Sequence, residues 1–187
     1  MNQDAKIAEM VGSLSDFLRS SLNNGREYCS IEQEIIHVKN YVSIQSIRYP
    51  DKFVFQVDVD TAIQEQFTLK LLLQPLVENA MLHGILKREG KGCITISAEC
   101  DGQSIHFTVL DDGIGIAPDR LKWLRTQLSG HPDHKREQFA NGGYGLRNVH
   151  NRLVLHYGKE AGLRVDSTEG EGTRVMFTIP CMESASN

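Results

Sequence analysis

Four short stretches carry side chains or backbone that could do chemistry. In the first, Asn79 and His83 stand four residues apart beside Glu78 within Leu69 to Leu86, and Lys87 follows four residues after His83, just past its end. On a helix that spacing puts a carboxamide, an imidazole and an ammonium group on one face, which is then able to meet an ion. The second is Asp111-Asp112-Gly113-Ile114-Gly115. A carboxylate at a strand end can accept a hydrogen bond from an exocyclic amine, and glycines let backbone and ligand approach closely, so the run suits adenine; it is also a common turn. The third, Asn141-Gly142-Gly143-Tyr144-Gly145-Leu146, opens a helix whose exposed N–H groups and partial positive charge could cradle phosphate; such loops also serve as hinges. In the fourth, Gly170-Glu171-Gly172-Thr173, Thr173 offers a hydroxyl from what is otherwise a tight hairpin. No Gly-Lys-Ser/Thr follows the third stretch and no strand precedes it, which separates it from the Walker and dinucleotide-binding motifs.

These stretches need elements to hold them. Leu69, Leu72, Leu73, Leu76, Ala80 and Ile85 recur at helical spacing and predict one central helix with a buried back, starting or kinking near Pro75. Upstream, residues 4–22 present Ile7, Met10, Val11, Leu14, Phe17, Leu18 and Leu22 on one face, and Asn23-Asn24-Gly25 ends that helix. Ser30 and Gln33 form a capping-box pattern for a second helix to about Arg48, with Ile31, Ile35, Val38, Val42 and Gln45 inward and Pro50 beyond its end. Together the two predict a helical hairpin. FVFQVDV alternates as a strand, residues 58–66 read as its exit loop, and CITISAE and SIHFTVLD form a hairpin about Asp101-Gly102. A long connection from Gly113 to Gly143, with a helix near Asp119–Leu128 containing Trp123, reads as a lid. A helix from Tyr144 to Tyr157 and two strands, LRVDS and RVMFTIP, complete the chain before a polar tail.

At 187 residues, with 24% charged residues and a formal charge of −4, the chain has room for one core plus an arm. It lacks the clustered basic surface of a nucleic-acid binder. No apolar run is long enough to span a membrane, and the scattered Cys29, Cys93, Cys100 and Cys181 indicate neither zinc nor a disulfide framework. A reducing cytosol fits that cysteine usage.

The order and spacing of the four stretches over about 105 residues resemble the N, G1, G2 and G3 boxes of the ATP-binding domain shared by gyrase-type ATPases, the heat-shock chaperone, histidine kinases and mismatch-repair ATPases. LQPLVENAMLHG, GLRNVHNRL and YVSIQSIRYPDKF resemble more closely the LytS/YehU-type sensor histidine kinases, a likeness that reaches LSDFLRSSL in the first helix. The resemblance implies an α+β fold: a two-layer α/β sandwich of the Bergerat type, helices on one face of a mixed sheet, with an N-terminal helical hairpin. Residues 1–50 would be partial dimerisation and linker helices, 51–181 the ATP-binding catalytic domain and 182–187 a disordered tail. ATP and Mg²⁺ are the implied cofactors. Carried over by position, Asn79 would ligand Mg²⁺ and Asp111 would accept from the adenine N6 amine. Gly113 and Gly115 would line the base pocket, Gly143 and Gly145 the phosphates, and Thr173 the far wall near the adenine, with Ile116, Tyr144 and Leu146 in the same nucleotide-binding set. His83 and Lys87 complete the expected nucleotide-binding set.

Three departures from the family pattern bear on mechanism. The position of a frequent N-box Lys is Leu82, so phosphate-neutralising charge must come from Lys87, Arg88, the lid or the metal. Asn141 stands where the second Gly box begins, a residue that still tolerates positive φ. The position of the general-base Glu of hydrolysing relatives is Pro75, leaving Glu78 as the nearby carboxylate to act as a base or to hold a metal-bound group by hydrogen bonding. This pattern favours transfer to a histidine, already nucleophilic, over water. No histidine of the chain fits a phosphoacceptor; in the resembling family it sits in an Asn-Pro-His-Phe motif, expected upstream of Met1. The expectation is a fragment that binds nucleotide without phosphorylating itself, from the cytoplasmic portion of a membrane-anchored homodimer that phosphorylates a response regulator. A regulatory module without phosphotransfer and a hydrolysing ATPase are the alternatives.

Overall fold

The computed structural model describes residues 27–129 and 144–182, with the backbone alone at Tyr144. The predicted first helix, the turn after it, Asn141 to Gly143 and the tail from 183 lie outside the described residues.

Strand β1 (Tyr28–Ser30) runs directly into helix α1 (Ile31–Arg48). The capping box forms as predicted: Gln33 N–H donates to Ser30 Oγ at 3.2 Å, and Ser30 N–H to Gln33 Oε1 at 3.4 Å. Ile31, Ile35, Val38 and Val42 are buried, and Glu34, His37 and Tyr41 are buried with them. β2 (Phe53–Val59) alternates as its sequence does, and a short 3₁₀ turn at Thr61–Ile63 leads to β3 (Phe67–Leu69). β3 pairs antiparallel with β1, placing Cys29 opposite Thr68. Three residues are too few to display a period of two, so this pair is invisible in the sequence pattern.

The central helix differs from the continuous helix predicted over 69–86. α2 spans Leu73–Asn79, widens into a π turn over Ala80–Gly84 and tightens into a 3₁₀ turn at Ile85–Lys87. Pro75 falls in its first turn, where the N–H groups have no partner within the helix, so the proline costs no bond. The widened turn ends at Gly84, against the loop after Asp111: a Cβ on Gly84 would stand 2.5 Å from Asp111 Oδ1. Leu72, Leu73, Leu76 and Val77 are 1% exposed or less. At about 1.5–3 kcal/mol each, their burial outweighs the irregular geometry that follows.

β4 (Gly92–Cys100), β5 (Ser104–Asp111), β6 (Arg164–Thr168) and β7 (Gly172–Pro180) join β2 in a mixed sheet ordered β2-β4-β5-β7-β6. Only the β2–β4 pairing in this sheet is parallel. Ile94, Ile96, Phe107, Val109, Val175 and Phe177 face one side, where Phe107 and Phe177 stack with centroids 4.8 Å apart. α2, α3 (Pro118–Leu128) and α4 (Tyr144–Tyr157) contribute Leu76, Leu121, Leu124, Leu128, Val149 and Leu153 to the same core, as does α1 with Ile31, Ile35 and Val38. Helices on one face of a mixed sheet make the two-layer α/β sandwich expected from the sequence. Cys100 and Cys181 are free thiols 3.1 Å apart at the far end of the sheet.

The β6–β7 turn places backbone against backbone. Gly172 has φ +124°, and a Cβ there would lie 2.0 Å from the Asp111 carbonyl oxygen. Gly172→Ala is therefore expected to destabilise the fold by about 2–4 kcal/mol. Thermal unfolding should show a Tm lowered by roughly 5–15 °C.

Candidate nucleotide site

A cleft of about 450 Å³ opens between α2, α3 and the β6–β7 turn. From α2 and its continuation come Asn79, His83, Gly84 and Lys87; from the end of β5, Asp111; and from the loop after it, Ile114 to Ala117. Arg120, Trp123 and Leu124 of α3, Leu146 of α4, and Glu169, Gly170 and Thr173 of the turn close the other sides. All four stretches singled out in the sequence thus have residues on one surface.

The two aspartates of the second stretch divide their work. Asp111 is 4% exposed, and its Oδ1 accepts from Gly113 N–H at 2.9 Å. Burial pushes its carboxyl up to about 6, reinforced by Asp112 and opposed by the backbone N–H groups of Gly113 and Thr173. Asp112 instead holds the scaffold: Oδ1 accepts from Cys93 N–H at 2.7 Å and pairs with Arg88 Nη1 at 2.9 Å, while Arg88 also reaches the Asp112 carbonyl. Arg88, one of the expected phosphate-neutralising charges, is committed to this contact and does not line the cleft.

A hydroxyl network orients Thr173. Ser167 Oγ accepts from Ile116 N–H at 2.9 Å and donates its single proton to the Gly172 carbonyl at 2.7 Å. Thr173 Oγ1 lies 3.0 Å away and must be the donor in that pair, which leaves its lone pairs available as acceptors. Ser167 carries no motif signal; only strand pairing, which sets it opposite Thr173, exposes its part.

Burial, then the positive charges of Lys87 and Arg120, hold the His83 imidazole below its usual range. Arg120 was not foreseen, because a basic residue on a helix face ordinarily reads as solvated surface. With Lys87 it supplies the cationic lining that Leu82, which does not line the cleft, cannot.

Several expected positions have other surroundings. Gly113 does not line the cleft; a Cβ there would stand 2.4 Å from the Gly84 backbone, so it serves the close packing of loop on helix. Gly115 does line it, at φ +66° and tight against the Thr168 carbonyl. Gly145 is exposed with open space around it, Gly143 lies outside the described residues, and of Tyr144 only the backbone is described. Glu78, the expected base, is not among the cleft residues: its charge acts on Tyr41 of α1, where, after burial, it helps raise the phenol.

A pH effect follows from Asp111. Its pKa in the folded protein lies above the ordinary carboxylate value of about 3.9, so below pH of about 6 the carboxyl is protonated and loses an acceptor. Adenosine carries no phosphate to titrate, and its affinity is expected to fall about tenfold per pH unit below that point and to be level above it. NMR titration between mildly acidic and neutral pH measures this; a flat profile would tell against an adenine contact at Asp111.

Residues 64–183 match the family described as histidine kinase-, DNA gyrase B-, and HSP90-like ATPase, and residues 1–53 match a histidine kinase family. An uncharacterized sensor-like histidine kinase of Staphylococcus epidermidis is 35% identical over 94% of this chain and 33% of its own length. The sensor protein kinase HptS of Staphylococcus aureus is 32% identical over 94% of this chain and 32% of its own. The chain thus spans about a third of the length of the curated relatives it matches. Among solved structures, the histidine kinase domain of the Erythrobacter litoralis EL346 blue-light activated kinase has a TM-score of 0.56 at 20% identity, covering 94% of this chain and 74% of that one. The mycobacterial sensor histidine kinase MprB has a TM-score of 0.56 at 18% identity, covering 84% and 98%. At those identities the structures speak for the fold, while the sequence matches speak for the lineage. The chain belongs to the histidine kinase-, DNA gyrase B- and HSP90-like ATPase family.

Proposed function

We propose that ATP lies in this cleft with adenine against Asp111 and Thr173 and its phosphates toward Asn79, Lys87 and Arg120, and that its γ-phosphoryl group passes to a histidine on a dimerisation helix and then to a response regulator. The observation that carries the adenine end is the buried Asp111 carboxylate, an acceptor with no cationic side chain on it among the described residues, opening onto a ring-sized cleft beside Ile116 and Leu146. At the other end the first-turn N–H groups of α4 have no partner within their helix and suit phosphate oxygens.

Mg²⁺ fits the donor set in the manner of nucleotide enzymes. Among the described residues no group of three His, Cys, Asp or Glu side chains could cage a metal. The Asn79 carboxamide oxygen is a hard donor on the cleft wall, suited to sharing the ion with phosphates and water. Bound there, the ion would neutralise charge on the triphosphate. The protein's own part is positioning and cationic lining. In the step itself an imidazole nitrogen bonds to Pγ, the bond from Pγ to the β–γ bridging oxygen breaks, and ADP leaves with that electron pair. A neutral imidazole needs no base to ready its attacking nitrogen, which agrees with Pro75 at the hydrolase base position and Glu78 off the cleft.

We further read residues 1–50 as linker and dimerisation helices, 51–181 as the catalytic unit, and the whole protein as a membrane-anchored homodimer. Among the described residues no helix is long and apolar enough to cross a membrane, so the anchor belongs to other segments. Incubation of the chain with γ-labelled Mg-ATP and a fragment carrying a family-type Asn-Pro-His-Phe helix is expected to give acid-labile label on that histidine. Release of free phosphate without transfer would make the protein a hydrolase, and binding without either would make it a nucleotide-gated module.

A further inference from the structure

We propose that Glu34 is a positioning residue for the nucleotide site: by holding the entry of α2 it sets the place of Asn79, and so ties helix α1 to the phosphate end of the cleft. The inference rests on the reading of Asn79 as a Mg-ATP contact.

α2 begins without a cap of its own, since Leu72 offers no side-chain hydrogen bond. The missing acceptor comes from another element. Glu34 of α1 is 2% exposed; its Oε1 accepts from Leu73 N–H at 2.9 Å and its Oε2 from Leu71 N–H at 2.9 Å. One carboxylate therefore straddles the first residues of the helix, where negative charge is favoured. Leu71 sits at φ +58°, an uncommon conformation for a branched side chain, and its carbonyl accepts from Arg152 Nη1 at 3.4 Å. A further residue on the same face of α1 reinforces the contact: His37 Nε2 lies 2.6 Å from Gln74 Oε1.

The other end of the segment is anchored separately, through Gly84 against Gly113 and Asp111, with Ile114 N–H donating to the Gly84 carbonyl at 3.4 Å. Asn79 and the widened turn lie between these two anchors. Loosening the first shifts Asn79 while the second keeps the adenine end in place. α1 lies within the segment matching the histidine kinase family, so this carboxylate ties that segment to the phosphate end of the cleft.

The test compares the full 187-residue chain with Glu34→Gln, an isostere in which one of two acceptors becomes a donor facing a backbone N–H. Mg-ATP affinity is expected to fall about fivefold with adenosine affinity unchanged, and the Asn79 side-chain amide resonances to shift in the nucleotide-free protein. Equal Mg-ATP affinity in the two proteins overturns the inference. A matching loss of adenosine affinity also does so, because it reports a general loosening. Should wild type itself bind no Mg-ATP, the nucleotide reading fails, and the Asn79 resonances still test the coupling: unmoved signals refute it. If Glu34→Gln does not fold, Glu34→Asp, with the charge withdrawn by one methylene, carries the same comparison.

Discussion

Asp111→Asn is expected to lower ATP affinity about a hundredfold, equivalent to about 2.7 kcal/mol, with little change in Tm. The native carboxylate serves three donors at once: the backbone N–H groups of Gly113 and Thr173 and, in the proposed complex, an exocyclic amine of the ligand. A carboxamide has one oxygen. Its NH₂ must point either at a backbone N–H or at the adenine amine, and each donor–donor encounter in a buried site costs about 1–3 kcal/mol. Guanine presents an acceptor where adenine presents that amine, so GTP affinity should hold or improve in the variant, and preference between the two nucleotides should narrow or reverse. Calorimetry with both nucleotides decides it. Equal losses for ATP and GTP would mean that Asp111 shapes the cleft without reading the base.

Asn79→Ala is expected to erase the metal dependence of ATP binding. In wild type, Mg-ATP should bind about tenfold or more tightly than ATP with the metal chelated, the increment that a hydrogen bond or ligand to a charged group typically contributes. Removing the carboxamide takes away the hard oxygen on the cleft wall while Lys87 and Arg120 still attract the triphosphate, so the variant should retain the weaker, metal-independent affinity. Adenosine, lacking phosphates, should bind wild type and variant alike. A metal response in Asn79→Ala as large as that of wild type would remove Asn79 from its proposed role.

Much of this site is readable before any coordinates, and the reason is local. The spacing of Asn79, His83 and Lys87, the aspartate ending an apolar alternating run, and the glycines that permit close approach are properties of neighbours along the chain, where periodicity and turn chemistry act. The same holds for the Ser30–Gln33 capping box and for strands whose alternation sorts Ile94, Ile96, Phe107 and Val109 to one face. Glu78 shows where that reasoning stops. It adjoins Asn79, yet successive helical residues diverge by about 100°, and its charge meets Tyr41 while Asn79 meets the cleft.

From its sequence alone, then, the chain has determined its lineage, its layered α/β character, and which residue types from its motifs line the cleft. The tertiary structure decided what depends on contacts between distant segments: that Asp111 works in the cleft while Asp112 braces Arg88 and Cys93, that Arg120 substitutes for a charge absent at Leu82, that Ser167 orients Thr173, and that Glu34 caps a helix 39 residues downstream. The physical reason is that burial and hydrogen-bond partnership are pairwise properties of space. A carboxylate's sequence neighbours leave open whether it will meet water, an arginine or the open end of another helix, and only packing settles which.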